Sequence, residues 1–180
     1  MKRMMMFLAA ALLVTGCSTM TPARYSVSVD TNQILKQFKG EKAVMVTMNA
    51  PQSFDPFCRL MGPIQAADGM SIPEFIRKAF NDELKFAELY DEGAGVKLSG
   101  TMDNISFSSS SGLTNGWWDL GMTLRSANGK SLTVSNRYDF PSGFDAITAC
   151  NQTAQALGPA VQDLIKKAVS DPAFRGLISQ

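Results

Sequence analysis

The stretch Val96-Lys-Leu-Ser-Gly-Thr-Met-Asp-Asn-Ile-Ser-Phe107 decides the fold, because apolar and polar residues alternate along most of it. An alternation with a period of two predicts a β-strand with one buried face and one solvated face. The apolar phase shifts after Asp103, so we expect a β-bulge near Asn104. Asn115-Gly116 then predicts a turn. The middle of the chain therefore indicates an antiparallel sheet with one polar face.

The strand after this turn contains two adjacent tryptophans. Alternation places Trp118 on the core side and Trp117 on the outer face, which is rich in serine and threonine. An exposed tryptophan suits contact with lipid headgroups or a partner protein, so Trp117 and Trp118 form a candidate contact site. The alternative is that Trp117 only covers its strand neighbours and that the outer face is simply solvated. Asn128-Gly129 predicts a tight hairpin into a further strand.

Two amphipathic helices flank these strands. Ser71-Ile-Pro-Glu74 matches a capping box with proline in the first turn, and apolar residues at helical spacing follow it to about Tyr90. The second helix is expected to begin at Ser142 and to place Ile147 on its core side. Its Gly158-Pro159 pair should bend or split it.

A short strand over residues 42–48 precedes the first helix. The order of elements is then β-α-β-β-β-α, and the patterned faces are one-sided. This order predicts an α+β fold in which two main helices pack on one face of a mostly antiparallel sheet.

The first residues of the chain carry an export pattern. Lys2 and Arg3 precede an apolar run from Met4 to Val14, which is about half of the ~20 residues that a membrane-spanning helix needs. The run ends in Val14-Thr-Gly-Cys17, which resembles the lipobox of bacterial lipoproteins. In that family the cysteine thiol is acylated, the chain is cut before the cysteine, and the new amino group is acylated in turn. An ordinary signal peptide or an uncleaved anchor is the alternative.

This resemblance implies three segments. Residues 1–16 would be a lipoprotein signal peptide, residues 17–24 a lipidated cysteine with a short tether, and residues 25–180 a single periplasmic α+β domain. Aspartate after the cysteine is the usual signal for retention in the inner membrane, and this chain has Ser18 there. The resemblance therefore implies a lipid anchor on the periplasmic side of the outer membrane.

The charge balance argues against nucleic acid as a partner. The chain has 17 basic and 16 acidic residues, and removal of residues 1–16 takes away two basic residues and no acidic one. The remaining charges nearly cancel, whereas a nucleic-acid-binding surface needs an excess of basic residues. We expect the membrane, through the lipid anchor, and an envelope protein as partners.

Cys58 and Cys150 remain besides Cys17. In an oxidising compartment an even pair of cysteines predicts a disulfide, which here would close a loop of about 90 residues. Two buried thiols or a redox-active pair are the alternatives, although the chain has no Cys-x-x-Cys motif.

Three segments carry a resemblance to a family. These are Cys58-Arg-Leu-Met-Gly-Pro-Ile64, the helix start at Ser71–Glu74, and the stretch from Cys150-Asn-Gln-Thr-Ala to Gly-Pro-Ala-Val-Gln-Asp-Leu-Ile165. They resemble a family of uncharacterised proteobacterial envelope lipoproteins, over most of residues 42–178. The family has no established activity to carry over. The order of elements is also similar to that of small periplasmic lipoproteins that serve as accessory subunits.

The residues available for catalysis are few. The chain has no histidine, which removes the usual base of serine and cysteine hydrolases and the commonest zinc ligand. No glycine-rich phosphate loop follows a strand. The acidic residues at the end of the first helix are interpreted as a solvated face, with a cation site as the alternative; they are Asp82, Glu83, Glu88, Asp91 and Glu92. We therefore assign no catalytic residue, metal or cofactor.

The leading hypothesis is a lipid-anchored, non-catalytic interaction or accessory protein of the envelope. A second hypothesis is a carrier or sensor of a lipid or another apolar ligand, held between sheet and helices or under the loop Phe54–Ile64. A third is an envelope hydrolase. A large apolar cavity would favour the carrier, a filled core with Trp117 on the surface would favour the interaction protein, and a cleft with convergent carboxylates would favour the hydrolase.

Overall fold

The structure, a computed structural model, describes residues 20–179, so the predicted signal peptide and Cys17 lie outside the described residues. Its sheet has four strands in chain order. They are β1 (Ala43–Asn49), β2 (Val96–Ser111), β3 (Asn115–Ser126) and β4 (Ser131–Pro141). β1 runs parallel to β2, and the other two pairs are antiparallel. The predicted α+β class with a mostly antiparallel sheet is confirmed.

Within residues 20–179 four helices accompany the sheet: α1 (Val29–Leu35), α2 (Ile72–Phe86), α3 (Ala146–Ser170) and α4 (Phe174–Ile178). Short 3-10 turns lie at Lys36–Phe38 and Ala67–Gly69. α2 packs against β1, and α3 packs against the other three strands. The capping box is present, since Ser71 Oγ accepts from Glu74 N and Ser71 N donates to Glu74 Oε2. α2 ends earlier than predicted because Glu88 takes a left-handed φ of 63°.

The start of α3 differs from its prediction. Asp145, and not Ser142, caps the helix, because its Oδ1 accepts from Thr148 N at 2.9 Å. Ser142 is buried and donates through Oγ to Ser109 O of β2 at 2.6 Å, which holds it outside the helix. Ile147 is exposed, so its predicted place on the core side was wrong. The helix continues through Pro159 without a break, so the predicted split is not observed.

The predicted β-bulge in β2 is confirmed by a shift of register between Met102 and Asn104. Beyond the bulge the inward-facing residues pack into one continuous core between sheet and helices. Several large side chains are buried in this core, among them Trp118, Phe75, Phe80 and Phe174.

The outer edge of β1 is covered by α2 and by the segment that follows it. Asn81 on α2 bonds to the backbone of β1: its Oδ1 accepts from Met45 N and its Nδ2 donates to Met45 O, both at 2.9 Å. Ala43 N donates to Leu89 O at 3.0 Å, and Asp91 N donates to Ala43 O at 3.3 Å. The side-chain amide thus takes the place of a neighbouring strand.

One end of the molecule collects the loops. β1, β2 and β4 end there, β3 begins there, and α2 and α3 begin there. We call it the loop end and define it by residues 50–71, 111–115 and 141–146. The first described residues also lie beside it, since Thr21 N donates to Asn151 Oδ1 in the first turns of α3 at 3.0 Å.

Candidate functional site

The face of the sheet opposite the helices carries the predicted outer residues, and we call it the open sheet face. Its side chains are polar and lie exposed or half-exposed: Ser99, Thr101, Asp103, Asn104, Trp117, Asp119, Thr123, Arg125, Ser131, Thr133, Ser135, Arg137 and Asp139. The face is continuous across β2, β3 and β4 because the register brings these residues side by side.

Trp117 lies at the centre of a small charged cluster on this face. The guanidinium carbon of Arg137 sits 4.4 Å from the centroid of a Trp117 ring, and Arg137 Nε contacts Asp139 Oδ1 at 3.3 Å. Trp117 is half-buried, because Arg137 covers one side of it. A cation over an aromatic face is attracted by the ring quadrupole. The cluster thus places an indole and a guanidinium in contact at the surface.

Trp118 has no part in such a contact. Its side chain is completely buried, and its Nε1 donates to Thr153 O of α3 at 2.9 Å. The candidate contact site therefore contains Trp117 and excludes Trp118. Alternation along the strand had already placed the two residues on opposite faces.

Several other polar groups of the open sheet face bond to one another. Thr123 Oγ1 donates to Asp103 Oδ2 at 2.7 Å and lies 2.8 Å from Thr133 Oγ1. On the next pair of positions Asn104 Nδ2 donates to Asp119 Oδ1 at 3.2 Å. These cross-strand bonds order the donors and acceptors that the face presents to solvent.

Glu83 is not on a solvated face, which corrects the sequence-based interpretation. Its side chain is buried, and Glu83 Oε1 accepts from Tyr25 Oη at 2.6 Å and from Ser28 N at 2.7 Å. Oε2 has no partner among the described residues. Burial raises the pKa of Glu83 despite these two hydrogen bonds, and burial together with the bond to Glu83 raises the pKa of Tyr25. The carboxyl group fastens the N-terminal segment to α2.

The other acidic residues of the predicted face are at the surface. Asp82 pairs with Lys78 at 2.6 Å, and Glu88, Asp91 and Glu92 are exposed. Within residues 20–179 no three histidine, cysteine or carboxylate side chains converge in a way that could hold a metal ion. Over the same residues, no helix has the length and apolar character needed to cross a membrane.

The described clefts are surface grooves. One of about 480 Å³ lies between the N-terminal segment and α3, lined by Thr21, Arg24, Gln155 and Gln162. The loop Phe54–Ile64, considered above as a lid over a ligand, closes the end of the core instead: Ile64 is buried, and the Phe54 ring packs edge-on against Phe107 at 6.5 Å. Side chains thus occupy the space between sheet and helices that a carrier would reserve for its ligand.

A disulfide joins Cys58 to Cys150, with their Cα atoms 5.8 Å apart. It ties the long loop after β1 to the first turns of α3. Both residues are buried, so the bond lies out of reach of a redox partner in the folded protein. The disulfide therefore stabilises the loop end.

No protein-family model matches the sequence, and no curated protein matches it. Several solved structures are similar to the chain. A Xanthomonas campestris protein of the DUF330 family is 10% identical, with 72% of this chain and 84% of that one covered and a TM-score of 0.49. A Caulobacter crescentus protein provisionally described as a lipoprotein is 12% identical, with coverages of 79% and 92% and a TM-score of 0.46. A Chlamydia trachomatis protein is 9% identical, with coverages of 77% and 98% and a TM-score of 0.43.

Proposed function

We propose that this protein is a lipid-anchored, non-catalytic interaction protein of the bacterial cell envelope. In this proposal Cys17 carries the lipid, and the open sheet face binds a partner protein. The observation that carries the proposal is the Trp117–Arg137–Asp139 cluster on the polar face of a domain whose core is filled.

The cluster has the properties of an interface hot spot. Tryptophan and arginine are the residues most enriched at such positions, and they bind best when they are held in place before the partner arrives. Arg137 is held by Asp139 on one side and by the ring of Trp117 on the other. The surrounding hydroxyl groups supply a polar rim that can bond to a partner or to bridging water.

The anchor is supported by the sequence from Lys2 to Cys17. A short positive segment, an apolar run too short to span a bilayer and a lipobox-like end occur together in it. Two or more acyl chains on one residue hold a protein far more firmly than one chain does. Because Ser18 follows the cysteine, we place the protein on the periplasmic side of the outer membrane as part of the same proposal.

The test is native mass spectrometry of the full lipoprotein, extracted gently from its own host with Cys17 intact. We expect a reproducible heavier complex, and we expect Trp117→Ala and Arg137→Ala to remove it. Lys39→Ala is the matched control, since Lys39 is an exposed cation away from the open sheet face. A monomer in every preparation, or a complex that both substitutions leave intact, contradicts the proposed interaction. A monomer with an adduct beyond its own acyl chains favours a carrier.

The anchor has a separate test. Radiolabelled palmitate should enter the unsubstituted chain and should not enter Cys17→Ser. Label in the substituted chain would contradict the assignment of Cys17.

A further inference from the structure

The loop end carries an exposed apolar surface. Eight large apolar side chains are exposed within residues 20–179, and five of them belong to the loop end or to the first turn of α3 that adjoins it. Leu60 is fully exposed and Phe144 is 76% exposed. The other three are Phe57, Leu113 and Ile147.

These five residues belong to three chain segments that the structure fastens together. Arg59 bridges all three, since its Nε donates to Ser109 Oγ at 3.1 Å and its Nη1 donates to Phe144 O at 3.3 Å. The tip of the β2–β3 hairpin is joined to the segment before α3, because Ser142 N donates to Thr114 O at 2.8 Å. The Cys58–Cys150 disulfide holds the long loop to α3. The apolar side chains therefore project from a fixed surface.

Charge is sparse at this surface. Residues 54–64, 108–118 and 141–148 contain three charged side chains, those of Asp55, Arg59 and Asp145. Asp55 Oδ1 accepts from Phe57 N, and Asp145 Oδ1 accepts from Thr148 N, each at 2.9 Å. Each of the three charges has a hydrogen-bond partner within the protein and lies at the surface, so it can stay hydrated in the headgroup region while the neighbouring apolar side chains reach deeper.

The opposite end of the molecule is different. A surface groove there is lined by Lys36, Lys39, Lys42 and Glu88, all exposed. Its exposed apolar residues are Val29 and Phe86, one at the start of α1 and one at the end of α2. The molecule thus has one apolar end and one charged end.

The lipid-bearing segment joins the apolar end. Met20 is buried against the core, and Thr21 bonds to Asn151, the neighbour of the disulfide residue Cys150. Cys17 precedes Met20 by three residues, a span of at most ~11 Å at ~3.6 Å per residue. A lipid on Cys17 therefore holds the bilayer within that distance of the loop end.

We propose that the loop end rests in the headgroup region of the bilayer, with Phe57, Leu60, Leu113, Phe144 and Ile147 in contact with lipid. The inference depends on the proposed anchor at Cys17 and extends it from tethering to a fixed orientation. Aromatic and aliphatic side chains at a surface of low charge are suited to the boundary between headgroups and acyl chains. In this orientation the charged end points away from the membrane, and the open sheet face stands along the membrane normal, accessible from the side.

The test is photolabelling of the acylated full-length protein in vesicles of phosphatidylethanolamine and phosphatidylglycerol. A phospholipid with a diazirine on its acyl chain is activated, and the modified peptides are identified by mass spectrometry. We expect adducts in residues 54–64, 108–118 and 141–150, and we expect Leu60→Ser combined with Phe144→Ser to lower the labelling of residues 54–64 and 141–150, the segments that contain the two substitutions. The control is Val29→Ser combined with Phe86→Ser, two exposed apolar residues at the charged end (66% and 50% exposed), and it should change nothing.

The outcomes separate this inference from the anchor. Acylated protein that floats with the vesicles, with adducts spread over both ends, overturns the proposed orientation and leaves the anchor standing. Adducts at the loop end that persist in Leu60→Ser with Phe144→Ser overturn the assigned side chains. Protein that carries no acyl group and does not float overturns both proposals.

Discussion

Asn81 offers a sharp test of how the edge of the sheet is stabilised. Asn81→Ala removes the acceptor of Met45 N and the donor to Met45 O, and Met45 is completely buried. A buried backbone group without a partner costs about 1–3 kcal/mol, so two such groups amount to about 2–6 kcal/mol. A surface groove is lined by both Met45 and Asn81, so we expect water to enter the space that the shorter side chain leaves and to replace part of these bonds. We therefore expect the lower part of the range, a loss of about 2–3 kcal/mol.

The assay is equilibrium unfolding in urea with the disulfide intact, followed by circular dichroism. Lys78→Ala on the same helix is the control, since it breaks only the exposed pair with Asp82, and such pairs contribute about 0.3–0.5 kcal/mol. A loss below about 1 kcal/mol in Asn81→Ala would refute the reasoning, because it is no more than one ordinary hydrogen bond contributes.

Asn81→Asp separates the two bonds. The substitution keeps an acceptor for Met45 N, but an ionised carboxylate has no donor for Met45 O. Protonation of the introduced carboxylate restores the donor, so we expect the deficit in the free energy of unfolding to narrow as the pH falls. A deficit that is the same at every pH would show that the bond to Met45 O contributes nothing.

Three further predictions concern buried groups. Burial raises the pKa of Glu83 above its ordinary value of 4.5, so the folded protein binds this proton more tightly than the unfolded chain does. The free energy of unfolding should therefore fall as the pH rises from 4.5 through the raised pKa. In Glu83→Gln, urea unfolding across this pH window should show a smaller fall, and an equal fall in both proteins would disprove the prediction. Cys58→Ser combined with Cys150→Ser opens a loop whose ends are 92 positions apart in the sequence. This should lower the free energy of unfolding by about 4–5 kcal/mol. An unchanged midpoint of urea unfolding would contradict the prediction. Trp118→Phe removes the bond to Thr153 O and buried volume and should lower it by about 2–4 kcal/mol. Trp117→Phe should change it by less than about 1 kcal/mol, since Arg137 can still lie over the ring, and equal losses in the two variants would be inconsistent with their assigned faces.

The parts of the fold that follow from local pattern were predictable from the sequence. Alternation separated Trp117 from Trp118, the change of phase located the bulge before Asn104, and the spacing of Ser71 and Glu74 identified the capping box. Each of these signals acts over a few residues, so no knowledge of distant contacts is needed to use it.

The parts that depend on distant contacts were not predictable. Ser142 is an acceptable helix cap in sequence, but it bonds to Ser109, 33 positions earlier. Glu83 lies in a polar stretch of the sequence, but its side chain is buried and accepts a hydrogen bond from Tyr25, 58 positions earlier. The segments of the loop end are likewise joined by contacts between distant residues, among them those of Arg59 with Ser109 and Phe144. No periodicity in the sequence predicts these long-range contacts.

The cover over β1 makes the two edges of the sheet chemically unequal. The outward groups of Ala43 and Met45 are taken by α2 and the segment after it, whereas no described segment pairs with the outer edge of β4. A sheet with two open edges can add copies of itself without limit and grow into a fibre. A sheet with one open edge can join a second copy only β4 to β4 about a two-fold axis, and that pairing consumes both open edges. In this protein the block is at Ala43 and Met45, where β1 is covered, and it leaves β4 as the edge open to such pairing.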